Sequence, residues 1–283
     1  MFGNKTYVYG QNGKLASVND VPITYNARGQ LASFDGNTYS YDALGNRIAK
    51  NNDTYSYTRG NLLCGINNDV AYSYNADGVR FQKIANGITT KFHLDGDKIL
   101  GEDRSDGKKL RYFYDIDGLC GFKCGLDYYA YLRNPYGDIV GIMDENNILR
   151  ASYQYDAKGN CIVRDIMGNV TTDGNDIGVI NPFRWKSHYY DVESGLYYAN
   201  GSYYDPEVAL HVDAMSVSTI FADPFSANTL DLTGVSCDNI LAYLPNVFDY
   251  ATTIELSPDV VATDAGGNLS LSGTVKNLVA TQG

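Results

Sequence analysis

The sequence predicts an all-β protein in which short hairpins follow one another along a curved or spiral sheet. Two observations predict it: an excess of turn-forming residues, and a tyrosine-containing unit that recurs at nearly constant spacing. The 283 residues include 28 Asp, 26 Asn and 29 Gly, and the aromatic residues are 25 Tyr, 10 Phe and 1 Trp. Asp, Asn and Gly disfavour helix interiors and favour tight turns, whereas Tyr suits a half-buried pleated surface. This composition excludes an all-helical fold and a helix-rich α/β enzyme.

The recurring unit is Tyr-x-Tyr, then Asp or Asn, then Gly three residues later. In chain order its copies begin at Ile23, Tyr39, Tyr55, Tyr72, Phe92, Tyr112 and Tyr153. The copies at Ile23, Tyr55 and Phe92 are the weaker ones, and the last of them lacks both Tyr. From Tyr25 to Tyr114 the second Tyr position recurs every 16 to 20 residues. Self-similarity at so regular a spacing is typical of repeat architectures.

Each copy is predicted to form a β-hairpin. Two Tyr separated by one residue project from the same face of a strand. The Asp or Asn that follows opens a turn by bonding to nearby backbone, and Gly supplies the positive φ that closes it. A repeat of about 16 residues has room for two strands of about 5–6 residues and their turns, but none for a helix. Successive hairpins in register therefore build one long sheet with rows of Tyr on one face.

These units resemble the YD repeats of the Rhs and teneurin group of large proteins. The resemblance is strongest in residues 181–207, which read NPFRWKSHYYDVESGLYYANGSYYDPE and are similar to the start of the Rhs repeat-associated core. It extends well over residues 5–215 and poorly over residues 216–250. The resemblance implies that the repeats wind into a hollow β-shell, which in bacterial members encloses a variable carboxyl-terminal toxin or effector. In teneurins a related shell serves cell-surface adhesion.

The same resemblance implies one candidate catalytic pair. In some members the core cuts itself with two Asp, whose positions here correspond to Asp213 and Asp249. Two carboxyls that share one proton are what an aspartyl protease needs. However, Ser202 stands where the family carries Arg, and Asp249 is followed by Tyr250 instead of Pro. We therefore predict no catalytic residue, and self-cleavage stays an alternative interpretation of this pair.

The remaining reactive side chains are interpreted as structural. The three His residues are His93, His188 and His211. They are far apart in the sequence and form no metal-binding or Ser-His-Asp pattern. The five Cys residues are Cys64, Cys120, Cys124, Cys161 and Cys237. Because their number is odd and their spacing is unpaired, we expect free thiols, and we predict no metal site and no cofactor.

Charge and composition divide the chain into three predicted parts. Residues 205–283 contain 10 acidic side chains and one basic side chain, whereas the whole chain has a net charge of −11. We predict a YD-repeat β-shell over residues 1–204, which includes the start of the core. A degenerate core-terminal segment follows over residues 205–249, and a variable, loosely ordered tail over residues 250–283. The acidic balance gives the shell no basic stripe for binding nucleic acid.

The predicted function is that of a non-catalytic shell segment in an Rhs-type polymorphic toxin or a cell-wall-associated protein. Such a segment would enclose or present a carboxyl-terminal effector. The first alternative is an extracellular adhesion or glycan-binding module like that of teneurins. The second alternative is a self-cleaving aspartyl autoprotease core.

The predicted partners are upstream YD repeats of the same protein or a carboxyl-terminal toxin cargo. An immunity protein and a cell-surface glycan are further candidates, and an exposed edge strand would favour self-association. The first ten residues lack the basic and apolar regions of a signal peptide. Either the chain stays inside the cell, or it is the end of a longer polypeptide whose export signal lies elsewhere. With the family resemblance, we expect a secreted or cell-surface location as part of a longer protein.

Overall fold

A computed structural model describes residues 6–10, 15–199 and 201–213, together with the backbone of four strands between residues 251 and 281. The chain divides into two compact units, residues Met1–Ala214 and Met215–Gly283. Within the described part, no helix is long and apolar enough to cross a membrane.

The first unit contains a long sheet and a smaller one. The strands of the long sheet are β1 (Tyr7–Tyr9), β2 (Leu15–Val18), β3 (Val21–Tyr25), β4 (Leu31–Phe34), β5 (Asn37–Tyr41), β6 (Arg47–Lys50), β7 (Asp53–Thr58), β8 (Leu62–Ile66), β9 (Val70–Tyr74), β10 (Arg80–Ala85), β11 (Ile88–Asp95), β12 (Lys98–Arg104), β13 (Lys109–Asp115), β14 (Gly118–Cys124), β15 (Asp127–Arg133), β16 (Ile139–Asp144), β17 (Leu149–Tyr155) and β18 (Cys161–Arg164). The elements that follow are helix α1 (Ile177–Ile180), a 3-10 turn (Trp185–Ser187), β19 (Tyr189–Asp191), β20 (Leu196–Ala199), β21 (Ser202–Asp205) and β22 (Leu210–His211).

Each strand of the long sheet pairs antiparallel with the next strand along the chain, from β1 to β18. Strands β19 to β22 form a second antiparallel meander of four strands. The all-β fold predicted from the hairpin repeats is confirmed.

In the second unit, backbone strands β23 (Ala251–Leu256) and β26 (Val275–Thr281) pair antiparallel. Strands β24 (Val261–Asp264) and β25 (Leu269–Ser272) form another antiparallel pair. The three-part division of the chain at residues 204 and 249 stays a prediction.

A β-bulge recurs at the same place in eight successive hairpins, from β1–β2 to β15–β16. In each hairpin the register shifts next to the second Tyr position, and one residue of the return strand is left unpaired. The unpaired residues are Ala16, Ala32, Ile48, Cys64, Phe81, Leu100, Cys120 and Val140. Bulges bend a strand and increase its twist. Their repetition explains why this sheet curves.

The two Tyr of the repeat have different structural roles. The first is buried on the covered face of the sheet, as at Tyr39, Tyr72, Tyr112 and Tyr153. The second donates its hydroxyl to a backbone carbonyl of the preceding hairpin. These bonds are Tyr25 to Leu15 at 2.8 Å, Tyr57 to Arg47 at 2.9 Å, Tyr74 to Leu63 at 2.5 Å, Tyr114 to Ile99 at 3.0 Å and Tyr155 to Ile139 at 2.6 Å. The Tyr rows therefore hold neighbouring hairpins together.

The Asp or Asn of the repeat closes its turn through three bonds. Asp42 accepts the N–H of Asn46 on Oδ1 at 2.8 Å, and its carbonyl accepts the N–H of Gly45 at 3.2 Å. The N–H of Asp42 donates to the carbonyl of Asn46 at 2.9 Å. Gly45 has a φ of 99°, which explains the preference for Gly. The same three bonds recur at Asn26, Asn75, Asn134 and Asp156.

Candidate functional site

We define the core block as residues 181–213, which lie against one face of the long sheet. Its buried apolar side chains belong to the same hydrophobic core as those of the sheet. They are Phe183, Tyr189, Leu196, Tyr198, Tyr203 and Val212. The core block is therefore the layer that covers this face of the sheet.

Arg80 of β10 is a fully enclosed charged group at this interface. Its side chain is fully buried and forms an ion pair with the equally buried Asp191 of β19. Its Nη1 also donates to the hydroxyl of Tyr203 at 3.1 Å. The guanidinium carbon lies 4.3–5.7 Å from the centroids of five aromatic rings, those of Tyr72, Phe92, Tyr189, Tyr198 and Tyr203. Cation–π attraction adds to the ion pair in such a desolvated cage.

A second cation joins this cluster. Lys83 Nζ lies 2.8 Å from Asp191 Oδ1 and 2.8 Å from Glu193 Oε1. Burial on its own would raise the pKa of Asp191, but the charges of Arg80 and Lys83 outweigh it and lower the pKa. Asp191 is thus a carboxylate held by two cations of the sheet.

Arg47 and Asp205 form the second buried ion pair between the sheet and the core block. Arg47 Nη1 lies 2.6 Å from Asp205 Oδ2, and both side chains are buried. The backbone N–H of Arg47 donates to the carbonyl of Val212 at 2.7 Å. The hydroxyl of Tyr57 donates to the same carbonyl at 2.9 Å. The carboxyl-terminal end of the core block is therefore fixed to β6 and β7.

The other half of the sheet holds the start of the core block through Asn181, which is fully buried. The hydroxyl of Tyr131 donates to Asn181 Oδ1 at 2.6 Å, and Asn181 Nδ2 donates to the hydroxyl of Tyr153 at 3.0 Å. Asn181 Nδ2 also donates to the carbonyl of Phe183 at 2.6 Å. These bonds satisfy the buried amide and explain why Asn begins the motif.

Trp185 packs on the turn between β17 and β18. A Cβ added to Gly159 would lie 2.7 Å from Cδ2 of the Trp185 ring, so the ring lies directly over this glycine. The hydroxyl of Tyr197 donates to the carbonyl of Gly159 at 2.9 Å. Asn160 Nδ2 donates to the carbonyl of Pro206 at 3.1 Å. The turn is thus a contact site for three parts of the core block.

Glu207 marks where distant parts of the sheet approach each other. Its carboxylate accepts from Lys50 Nζ at 2.5 Å and from Asn37 Nδ2 at 2.9 Å, and its carbonyl accepts from Lys158 Nζ at 3.0 Å. Lys158 also lies 5.2 Å from the centroid of the Phe34 ring. Because β4 to β6 and the β17–β18 turn both reach this one residue, the sheet curls around the core block.

Asp213, the first residue of the candidate catalytic pair, lies buried at the end of the core block. Its Oδ1 accepts the N–H of Tyr203 at 2.9 Å and the hydroxyl of Ser202 at 3.0 Å. Burial raises the pKa of Asp213 to about 6. Asp249 lies outside the described residues, so the pair stays a prediction.

Ser202 also lies 2.6 Å from His211 Nδ1. In this cluster the Ser hydroxyl stands between the His ring and Asp213, whereas in a Ser-His-Asp triad the His stands between the other two. Burial lowers the pKa of His211 and is also the largest cause of the lowered pKa of His188. His93 Nε2 lies on the surface, 3.1 Å from Asp103. Among the described residues, no group of three or more His, Cys, Asp and Glu could hold a metal ion.

Known proteins share part of this sequence and its fold. No family model matches the chain. It is 35% identical over 139 residues to the tRNA3(Ser)-specific nuclease WapA of Bacillus spizizenii, and 34% identical over 139 residues to the tRNA nuclease WapA of Bacillus subtilis strain 168. Each alignment covers 48% of this chain and 6% of the relative, so the chain spans a small part of the relatives' length.

Among solved structures, the chain is similar to one in the crystal structure of TcdB2-TccC3-Cdc42. The TM-score is 0.50 at 14% identity, and the match covers 74% of this chain and 12% of the other. This likeness shows a shared fold. The repeats, the likeness to WapA and the shared fold are consistent with the Rhs/YD-repeat family.

The structure contains two further YD-repeat hairpins that were not predicted from the sequence. The hairpin β1–β2 begins at Tyr7–Tyr9, and the hairpin β15–β16 contains Tyr131, Arg133 and Gly137. In the second of these, Arg133 replaces the second Tyr, so the Tyr-x-Tyr pattern does not find it. The regular interval would have found it, because a gap remains between the copies at Tyr112 and Tyr153.

The four residues of the two buried ion pairs were also not predicted as site residues. Arg47 and Arg80 each follow the turn Gly of a YD repeat by two positions. Asp191 and Asp205 each follow a pair of Tyr in the core block. The sequence shows a cation in the YD repeat and an anion in the core block, which indicates that the two could pair. A single sequence does not show which Arg pairs with which Asp.

The pKa of Asp213 predicts a pH-dependent stability of this YD-repeat chain. Its folded pKa of about 6 lies above the ordinary value of 3.8, so its stabilisation is present at low pH and lost as pH rises through 6. Asp213→Asn keeps an Oδ1 acceptor for Ser202 and Tyr203. We expect this variant to exceed the wild type in unfolding free energy by about 3 kcal/mol at pH 7.5, and by under about 1 kcal/mol at pH 4.

Urea unfolding of both proteins at the two pH values measures this difference. His211 is present in both proteins, so its own titration cancels in the comparison. A difference that does not change with pH would contradict the raised pKa of Asp213.

Proposed function

We propose that this chain is a non-catalytic YD-shell segment of an Rhs-type toxin or cell-wall-associated protein, and that it encloses or presents a carboxyl-terminal effector segment. The observation that carries the proposal is that the core block is clamped to both halves of a curled sheet. Buried contacts fix it to β6 and β10 through Arg47 and Arg80, and to β15 and β17 through Asn181. These contacts hold the core block in a fixed position as far as Asp213.

The relatives support a division of labour between shell and effector. Their names state a tRNA nuclease activity, while the aligned part is 6% of their length. In the described part of this chain no group of three or more His, Cys, Asp and Glu could hold a metal ion, and the buried pairs Arg47–Asp205 and Arg80–Asp191 join the sheet to the core block. We therefore propose that any nuclease or other toxic activity of the longer protein belongs to another region. The proposed location is secreted or cell-surface, and the proposed partners are the effector cargo and its immunity protein.

An adhesion or glycan-binding role is the second candidate, and one observation favours it. Phe113 and Tyr128 stack at 6.0 Å between ring centroids on the exposed face of the sheet. Their exposed fractions are 39% and 47%. Exposed aromatic faces are able to stack on sugars. Of the neighbouring periodic Tyr, Tyr112 is buried, and Tyr114 and Tyr155 are bonded between hairpins.

The test is to express the complete reading frame that contains this chain, with and without the region that follows residue 213, in a bacterial host. The proposal expects growth arrest that requires the downstream region and is relieved by an adjacent immunity gene. A glycan array with the purified chain is the second measurement, and a flat profile is expected. Glycan binding that Phe113→Ala and Tyr128→Ala abolish, without any growth effect, would instead establish the adhesion role.

A further inference from the structure

One position of the hairpin differs between repeats in a way that bears on where the core block docks on the long sheet. It is the residue of the return strand that pairs with the second Tyr position of the repeat. Along the sheet this position is occupied by Leu15, Leu31, Arg47, Leu63, Arg80, Ile99, Leu119, Ile139 and Cys161. Two members are Arg, and the others are apolar.

The two Arg occupy sites that aliphatic side chains fill elsewhere in the sheet. Leu63 and Ile139 are fully buried at this position, and so are Arg47 and Arg80. Within the described residues, neither Nε nor Nη2 of either Arg has a hydrogen-bond partner. Each Arg therefore leaves N–H groups unsatisfied in a place where Leu would leave none.

A gain in stability does not by itself explain why Arg occupies these two buried positions. Replacing a buried ion pair by apolar residues of similar volume is often neutral or stabilising, whereas removing one partner is strongly destabilising. A buried pair therefore discriminates strongly between a matched and a mismatched arrangement, even when it adds little to the matched one. In coiled coils a single buried polar residue fixes the register in this way.

The core block presents two anions that match the two cations. Asp205 pairs with Arg47 and Asp191 pairs with Arg80, and the hairpin that contains Leu63 lies between the two Arg. If the core block docked one hairpin away, a buried carboxylate would face an aliphatic side chain and a buried Arg would lose its anion. The YD hairpins are otherwise similar enough to offer such displaced docking sites.

We propose that the Arg47–Asp205 and Arg80–Asp191 pairs set the register in which the core block docks on the repeated hairpins. The two pairs exclude displaced docking, and the apolar contacts supply the affinity of the core block for the sheet. The assignment concerns this chain's own assembly and does not depend on what the shell encloses.

The test compares substituted pairs by 19F NMR of the chain labelled with 5-fluorotryptophan. Trp185 is the single Trp and lies in the core block, so one resonance reports one docked register. The variant R47L/D205N keeps the Arg80–Asp191 pair and is expected to give one resonance. The four-site variant R47L/R80L/D191N/D205N is expected to stay folded and to give a second resonance from displaced docking.

A matched variant separates pairing from the mere loss of charge. R80L/D205N has the same kinds of substitution as R47L/D205N, but it leaves Arg47 without Asp205 and takes Arg80 away from Asp191, which keeps Lys83. Its denaturation midpoint in urea, followed by circular dichroism, is expected below that of R47L/D205N. L63M, at the equivalent position of the intervening hairpin, is expected to keep one resonance.

Two outcomes would overturn the proposal. A four-site variant that folds with one native resonance would mean that the apolar contacts alone set the register. A four-site variant that does not fold would mean that the pairs provide stability and not selection. Neither outcome bears on the growth test of the proposed function, so the two proposals fail separately.

Discussion

Asp191→Asn is expected to lower the free energy of unfolding by about 3–5 kcal/mol, the cost of breaking a buried ion pair. Asp191 is fully buried and neutralises Arg80 and Lys83 at once. Asn has nearly the same shape, so the change removes the charge and leaves the volume. Arg80 would then stay among five aromatic rings with no anion to pair with.

Urea unfolding followed by circular dichroism measures this loss, and Asp103→Asn is the matched control. Asp103 pairs with Arg111 at 2.6 Å, but both side chains are more than a third exposed. An exposed pair is worth about 0–1 kcal/mol, so this control is expected to change stability little. Equal losses of unfolding free energy in the two variants would show that water reaches Arg80 and that the five aromatic rings do not exclude it.

The parts of the fold that the sequence predicts are the local ones. The Tyr-x-Tyr pattern predicts the strand and its buried face, and the Asp and Gly predict the turn, because each depends on a few neighbouring residues. The bulge is invisible in the same pattern. It comes from a register shift that leaves residues such as Ile48 or Phe81 unpaired, and these positions share no residue type beyond being apolar.

The contacts that make the site are non-local, and this is why sequence reasoning missed them. Arg80 and Asp191 are 111 positions apart, and Arg47 and Asp205 are 158 apart. All four residues lie in motifs that are visible in the sequence, but which of them pair depends on how the sheet curls. For Asp213 the family resemblance indicated the position, and the structure adds that Ser202 and Tyr203 hold its carboxyl.

Gly159→Ala is the second substitution with a large expected effect, because two costs coincide at this turn. Gly159 has a φ of 94°, which a residue with a Cβ adopts only with strain. The added Cβ would also lie 2.7 Å from Cδ2 of Trp185, so the indole has to move away from the turn. Strain of about 1–2 kcal/mol and overpacking of about 1–3 kcal/mol predict a total loss of about 2–5 kcal/mol.

Gly87→Ala is the control that isolates the packing cost. Gly87 has a φ of 74°, but an added Cβ there would meet nothing within 4 Å. The two variants therefore share the backbone strain, and the difference between their unfolding free energies measures the displacement of Trp185. Trp185 emission is expected to shift towards that of a solvated indole in Gly159→Ala and to stay native in Gly87→Ala. Equal losses with unchanged emission would mean that the β17–β18 turn does not hold the core block, and that the contacts of Arg47, Arg80 and Asn181 position it without that turn.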